Sequence, residues 1–148
     1  RRNLIAGLGL AAAGTCFAVF FALACQQLPD LILMTDKPET PAELANELPL
    51  LHLASKIVHV DFFAPSSSDL PYGVDAREKA NAYYHRTSYM FHVSMALVFA
   101  GIALAAAHAP KSLPTQRILR WIKHAFTTLA VASILVCVYA IILRAGFG

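Results

Sequence analysis

Residues able to do chemistry are sparse in this chain and gather mainly in one stretch, Tyr84-His85-Arg86-Thr87-Ser88-Tyr89-Met90-Phe91-His92. Two imidazoles seven residues apart share one face of a helix, with Ser88 and Tyr89 between them. Arg86 would offer a planar fork of donors to a haem propionate, a quinone oxygen or an anionic lipid such as cardiolipin. His92, about 10 Å further along the helix, would offer a ring nitrogen to the iron of a haem b. Arg86, Ser88 and His92 are therefore the candidate cofactor-binding residues. The competing reading is structural: an interfacial arginine that snorkels, and a histidine hydrogen-bonded to a neighbouring helix. The structural reading is preferred, because bis-histidine ligation needs a second imidazole at similar depth, and His108 and His124 lie about 22 Å away along the helix axis.

Other polar groups carry weaker signals. His52, Ser55, Lys56 and His59 fall at i, i+3, i+4 and i+7, one face of a helix expected over residues 50–63. Without a cysteine or a second carboxylate on that stripe, a face turned to water or lipid headgroups is expected, not a metal site. Cys16, Cys25 and Cys137 form no C-x-x-C pair and lie in or beside apolar runs, so they read as small apolar residues. No Walker glycine loop, H-E-x-x-H or intramembrane carboxylate is present, which speaks against a catalytic role or a pump. No catalytic and no metal residue is assigned.

The elements that position these residues follow from composition. Of 148 residues 57% are hydrophobic and only 14% charged, with a mean hydropathy of +0.56, an excess that belongs in lipid. Residues 4–25 carry no charge and would be about 33 Å long as a helix, enough to cross a bilayer core. A retained span is favoured there over a signal peptide, whose apolar core is shorter. Two more charge-free runs lie at residues 87–107 and 125–143. The expectation is an all-α integral membrane protein with three transmembrane helices, at 4–25, within a long helix over 76–107, and at 124–144. A basic connector at 108–123 contains Pro110 and Pro114 as breakers.

Between spans one and two, residues 26–75 form a long loop expected to be partly helical. Thr40-Pro41-Ala42-Glu43 predicts a capped helix near 41–47, and Asp75-Ala76-Arg77-Glu78 is a second capping box opening the long helix. Pro65, Ser66-Ser67-Ser68, Pro71 and Gly73 predict a turn-rich link. Tyr83, Tyr84 and Tyr89 are expected in an aromatic belt at one interface and Trp121 at the other. All nine acidic residues lie between Asp30 and Glu78, whereas Arg1, Arg2, Lys111, Arg117, Arg120 and Lys123 flank the other side of the spans. Positive charge favours the matrix or cytoplasm, so the N-terminus is expected inside, and the long loop and C-terminus outside. The net charge of +3 comes with no basic patch interleaved with aromatics, and nucleic acid is set aside.

His85-Arg86-Thr87-Ser88 resembles the H-R-x-[ST] stretch that opens the first membrane helix of the large cytochrome b anchor subunit of succinate dehydrogenase. The resemblance implies that Arg86 helps to bind quinone. It covers four residues, and the chain departs from the family in three ways: an extra span before the motif, Ala82 in place of a quinone-contacting serine, and no later histidine suited to ligate haem. Charge bias also puts Arg86 on the outer side, opposite to the family's motif.

Packing gives a stronger signal. Gly7, Ala11, Gly14 and Ala18 form a stripe of small residues in span one; Ala96, Ala100 and Ala103, with Gly101 and Ala105 beside them, do so in span two. Such stripes let helix backbones approach closely; contacts with other subunits are inferred from them, with packing among the chain's own three helices as the alternative. The sequence is therefore read as a non-catalytic, accessory transmembrane subunit of a multisubunit energy-converting complex of the respiratory chain. Its partners would be other membrane subunits and the lipid bilayer. The mitochondrial inner membrane is favoured over a bacterial plasma membrane because of the Arg-rich start without Met. The alternatives are an anchor subunit contributing to a quinone or haem b site and a small stand-alone transporter.

Overall fold

The computed structural model describes residues 1–33, 40–62, 72–112 and 114–147. Among them all regular structure is helical, in the order α1 (Arg2–Leu33), α2 (Pro41–Glu47), α3 (Pro49–Ile57), α4 (Tyr72–Ala107) and α5 (Gln116–Phe147). Segments Arg2–Leu31, Arg77–Ala107 and Gln116–Arg144 are long and apolar enough to cross a membrane. The chain is an integral membrane protein with three transmembrane helices. Of the turn-rich link expected at 65–73, residues 65–71 lie outside the described residues and Gly73 is already part of α4.

The helices overrun the apolar stretches that announce them. α1 continues through Gln26, Gln27 and Pro29 to Leu33. Pro29 removes the N–H that the Cys25 carbonyl would have accepted, yet the helix holds beyond Cys25 because Leu28 is buried in a core. α4 starts at Tyr72, so Asp75, expected to cap it, stands inside its first turn and the capping box there is corrected. α5 starts at Gln116, whose side-chain amide donates to the Pro110 carbonyl (2.8 Å). The basic connector is correspondingly short, and Arg117, Arg120 and Lys123 stand on the first turns of α5.

One boundary needs correction: the helix expected over 50–63 is α3, which ends at Ile57. Its C-terminus is a Schellman motif. Val60 N–H donates to the Ser55 carbonyl (2.9 Å), His59 N–H reaches the Lys56 carbonyl (3.4 Å), and His59 takes the left-handed conformation with φ 57°. That position usually belongs to glycine, so no stop signal was visible in the sequence. His59 consequently does not continue the helical face of His52, Ser55 and Lys56, and Ser55 is buried where an exposed stripe was expected.

The chain divides into two compact units, one made of Arg1–Ala18 with Phe91–Gly148 and the other of Val19–Met90. In the first, α1 and α4 pack antiparallel at backbone contact. A Cβ placed on Gly7 would stand 2.6 Å from the Ala105 nitrogen and 2.7 Å from the Gly101 oxygen, and one on Gly101 would stand 2.5 Å from the Ala11 nitrogen. At Gly14 the Ser94 oxygen and the Val98 nitrogen would be met at 2.8 and 2.9 Å. Gly7, Ala11, Gly14 and Gly101 thus form a seam inside the chain, and Ala18, Ala96, Ala103 and Ala105 are buried. Ala100 is half-buried. α5 offers a narrow seam of its own, with Ala130 and Cys137 buried and the Phe126 ring 5.8 Å from that of Phe99. Ile134, Leu135, Val138, Tyr139 and Ile142 are exposed, the surface that lipid covers in a membrane.

The second unit has its own core, built from Ala24, Leu28, Leu44, Leu48, Leu51, Ala54, Val58, Val60 and Tyr83. Thr40 caps α2 as its sequence requires, its hydroxyl accepting from the Glu43 N–H (3.3 Å). Leu44 then packs against α3. Between the first and second spans the two short helices bury their apolar faces against α1 and α4 of the same chain.

Candidate functional site

The polar groups of the second unit converge on α3. A helix starting at Pro49 leaves its first N–H groups unpaired, and the residue at its N-cap, Leu48, has no side-chain oxygen to accept from them. Gln27 of α1 supplies it: its Oε1 accepts from the Leu51 N–H at 2.8 Å. At the other end, Arg86 of α4 donates from one nitrogen, Nη1, to the carbonyls of Val58 (2.9 Å) and His59 (3.0 Å). A cation at a helix C-terminus also opposes the negative end of the helix dipole. α3 is thus clamped at both ends by side chains 24 and 28 residues distant in sequence. Nothing local predicts either partner.

Beside the clamp, one buried hydroxyl joins α4 to α1 and a second bonds within α4. The Tyr83 hydroxyl donates to the Ala24 carbonyl (2.9 Å), and that of Thr87 to the Tyr83 carbonyl (2.6 Å). The Cys25 thiol is in hydrogen-bond contact with Thr87. Tyr83 is 0% exposed. The expectation of Tyr83 in an interfacial aromatic belt is therefore corrected: its hydroxyl bridges two helices. Tyr84 is exposed and Tyr89 half-buried, with the His85 ring 5.8 and 6.5 Å from theirs. Trp121 is 74% exposed.

The three residues singled out for a cofactor all stand on α4, Arg86 exposed and Ser88 and His92 half-buried, with the His92 ring 5.7 Å from that of Phe91. Arg86 has one nitrogen engaged by the α3 carbonyls. His108 and His124 are exposed, and the His108 ring contacts the Leu104 carbonyl of its own helix (3.1 Å). Among the described residues no group of three His, Cys, Asp or Glu side chains is placed to hold a metal ion. Of the cysteines, Cys137 is buried, Cys25 half-buried and Cys16 exposed, so only Cys137 is fully the buried apolar residue expected.

A site that sequence spacing only half anticipated lies on the polar side of α3. His52, Lys56 and His59 line an open hollow of about 440 Å³, walled by Pro41 and Leu44 of α2 and by Val60, Asp61 and Phe62. His52 and Lys56 follow from helical periodicity. His59 joins them through the Schellman turn.

Comparison with protein-family models, with curated proteins and with solved structures yields no match. The resemblance at His85-Arg86-Thr87-Ser88 stands on those four residues alone.

Proposed function

We propose that this chain is a structural, non-catalytic subunit of a larger membrane assembly, with an energy-converting complex of the respiratory chain as its preferred setting. The observation that carries this reading is how its polar side chains are used. Arg86 and Gln27 cap α3, and Tyr83 bridges α1 and α4. The span hydroxyls of Thr15, Thr87, Thr127 and Thr128 each donate to the carbonyl four residues earlier in their own helix. Intramembrane polar groups that serve chemistry face a cavity or a ligand; these satisfy backbone. The broad apolar surface of α5 is available to lipid and to other subunits alike.

Orientation follows from charge. The Gly7 contact with Gly101 and Ala105 places the Arg1-Arg2 end of α1 at the same end of its unit as the connector after α4, which carries Lys111. Two basic segments at one end favour the matrix or cytoplasmic side for the N-terminus, and the acidic segment between the first two spans then faces outside.

The optical spectrum of the purified assembly tests the structural role. His92→Ala should leave any haem absorbance unchanged, and Arg86→Lys should leave quinone reduction unchanged. Loss of a haem band in His92→Ala would overturn the reading in favour of an anchor that shares a haem b or quinone site.

A further inference from the structure

α3 presents three faces. Leu51, Ala54 and Val58 enter the core of its unit. Leu53 and Ile57 remain 50% and 42% exposed on a second face. His52 and Lys56 occupy the third, toward the hollow. Such a helix suits a membrane interface, with one face on protein, one on acyl chains and one among headgroups. Its depth agrees: one end is pinned by Gln27, just past the charge-free run of α1, and the other by Arg86, just before that of α4.

Lys56, His52 and His59 all line the hollow, with Pro41 and Phe62 among its other walls. His59 is the informative residue. It holds a left-handed backbone conformation in which a glycine would be free of the Cβ penalty. A position that glycine would hold without strain is held by a residue with a hydrogen-bonding ring, and it borders a hollow that Lys56 also lines. Asp61 on the same rim disfavours a doubly charged anion relative to a singly charged one.

We propose that this hollow binds a phosphate group, that of a singly charged phosphodiester in a phospholipid headgroup. Lys56 supplies the charge, His52 and His59 supply ring N–H donors, and Pro41 and Phe62 flank the glycerol end. The clamps on α3 hold these donors in place before a ligand arrives.

The test uses the full chain in maltoside micelles, titrated with dioleoyl phosphatidylglycerol and followed by native mass spectrometry. The unmodified chain should retain a lipid adduct, and Lys56→Gln should weaken it about tenfold, as expected for removal of a charged hydrogen-bond donor. His59→Gly should weaken the adduct at least threefold while raising the unfolding temperature, a combination that damage to the fold cannot produce. Leu135→Ala, on the exposed surface of α5, should change nothing. A second titration with inorganic phosphate separates the sources: displacement of the lipid at millimolar phosphate would assign the same donors to a soluble phosphate, and no displacement to the headgroup. Equal lipid retention in the unmodified chain, Lys56→Gln and His59→Gly would overturn the proposal, as would absence of an adduct.

Discussion

Arg86 shows how one side chain can satisfy a chemical pattern and still serve architecture. Its Nη1 holds the last carbonyls of α3, so Arg86→Ala should leave the Val58 and His59 oxygens without their protein donor and loosen the C-terminal turn of that helix. The expected cost is about 1 kcal/mol, since the donor is charged but its side chain is exposed. Hydrogen exchange should therefore accelerate at residues 54–60 in Arg86→Ala, and unaltered protection there would argue that the guanidinium is idle. At the opposite end, Gln27→Ala removes the acceptor for the Leu51 N–H and should cost about 1 kcal/mol, in the range of a lost helix cap; thermal unfolding in detergent measures it. Neither contact was legible in the sequence. Arg86 stood out by its neighbours His85 and His92, and Gln27 not at all, because both bond to backbone atoms brought near only by the packing of α3. By contrast Thr40 could be read directly, since its partner, the Glu43 N–H, is three residues away.

Among the elements, the pairing of α1 with α4 depends on residues with no side chain to obstruct it. Any side chain at Gly101 meets the Ala11 nitrogen at 2.5 Å, and backbone cannot step aside as a flexible side chain can. Gly101→Val should cost about 1–3 kcal/mol or separate the helices, by overpacking. Gly9 is the control, since nothing lies within 4 Å of a Cβ there, and Gly9→Ala should be neutral or slightly stabilising through helix propensity. Equal unfolding temperatures for the Gly101→Val and Gly9→Ala proteins would contradict the seam. The small-residue stripe was legible from its spacing, but its partner was not: spacing says that a backbone can approach closely without saying whose. The structure supplies that partner from within the chain for Gly7, Gly14 and Gly101. Helix lengths were legible only as apolar runs. The continuation of α1 past Pro29 and the early end of α3 at Ile57 both depend on tertiary contacts that override local signals.

For the whole molecule, three spans and the grouping of basic residues lead to an orientation that can be measured. Single cysteines at Asn46 and Ser112 in an otherwise cysteine-free chain should be labelled by a membrane-impermeant maleimide from opposite sides of the membrane, Ser112 from the side that holds the N-terminus. Labelling of both from one side would contradict the crossing pattern. The class of protein was legible because lipid demands long charge-free helices and composition reveals them; the role was less so, because polar groups are identified by type in sequence but by partner in structure. A structural subunit should stay with its neighbours when the membrane is gently dissolved. On native electrophoresis after mild detergent extraction the chain should migrate with other integral membrane proteins in a band far above its own 16.0 kDa, whereas a monodisperse single-chain particle that transports or turns over a substrate alone would rule out that role.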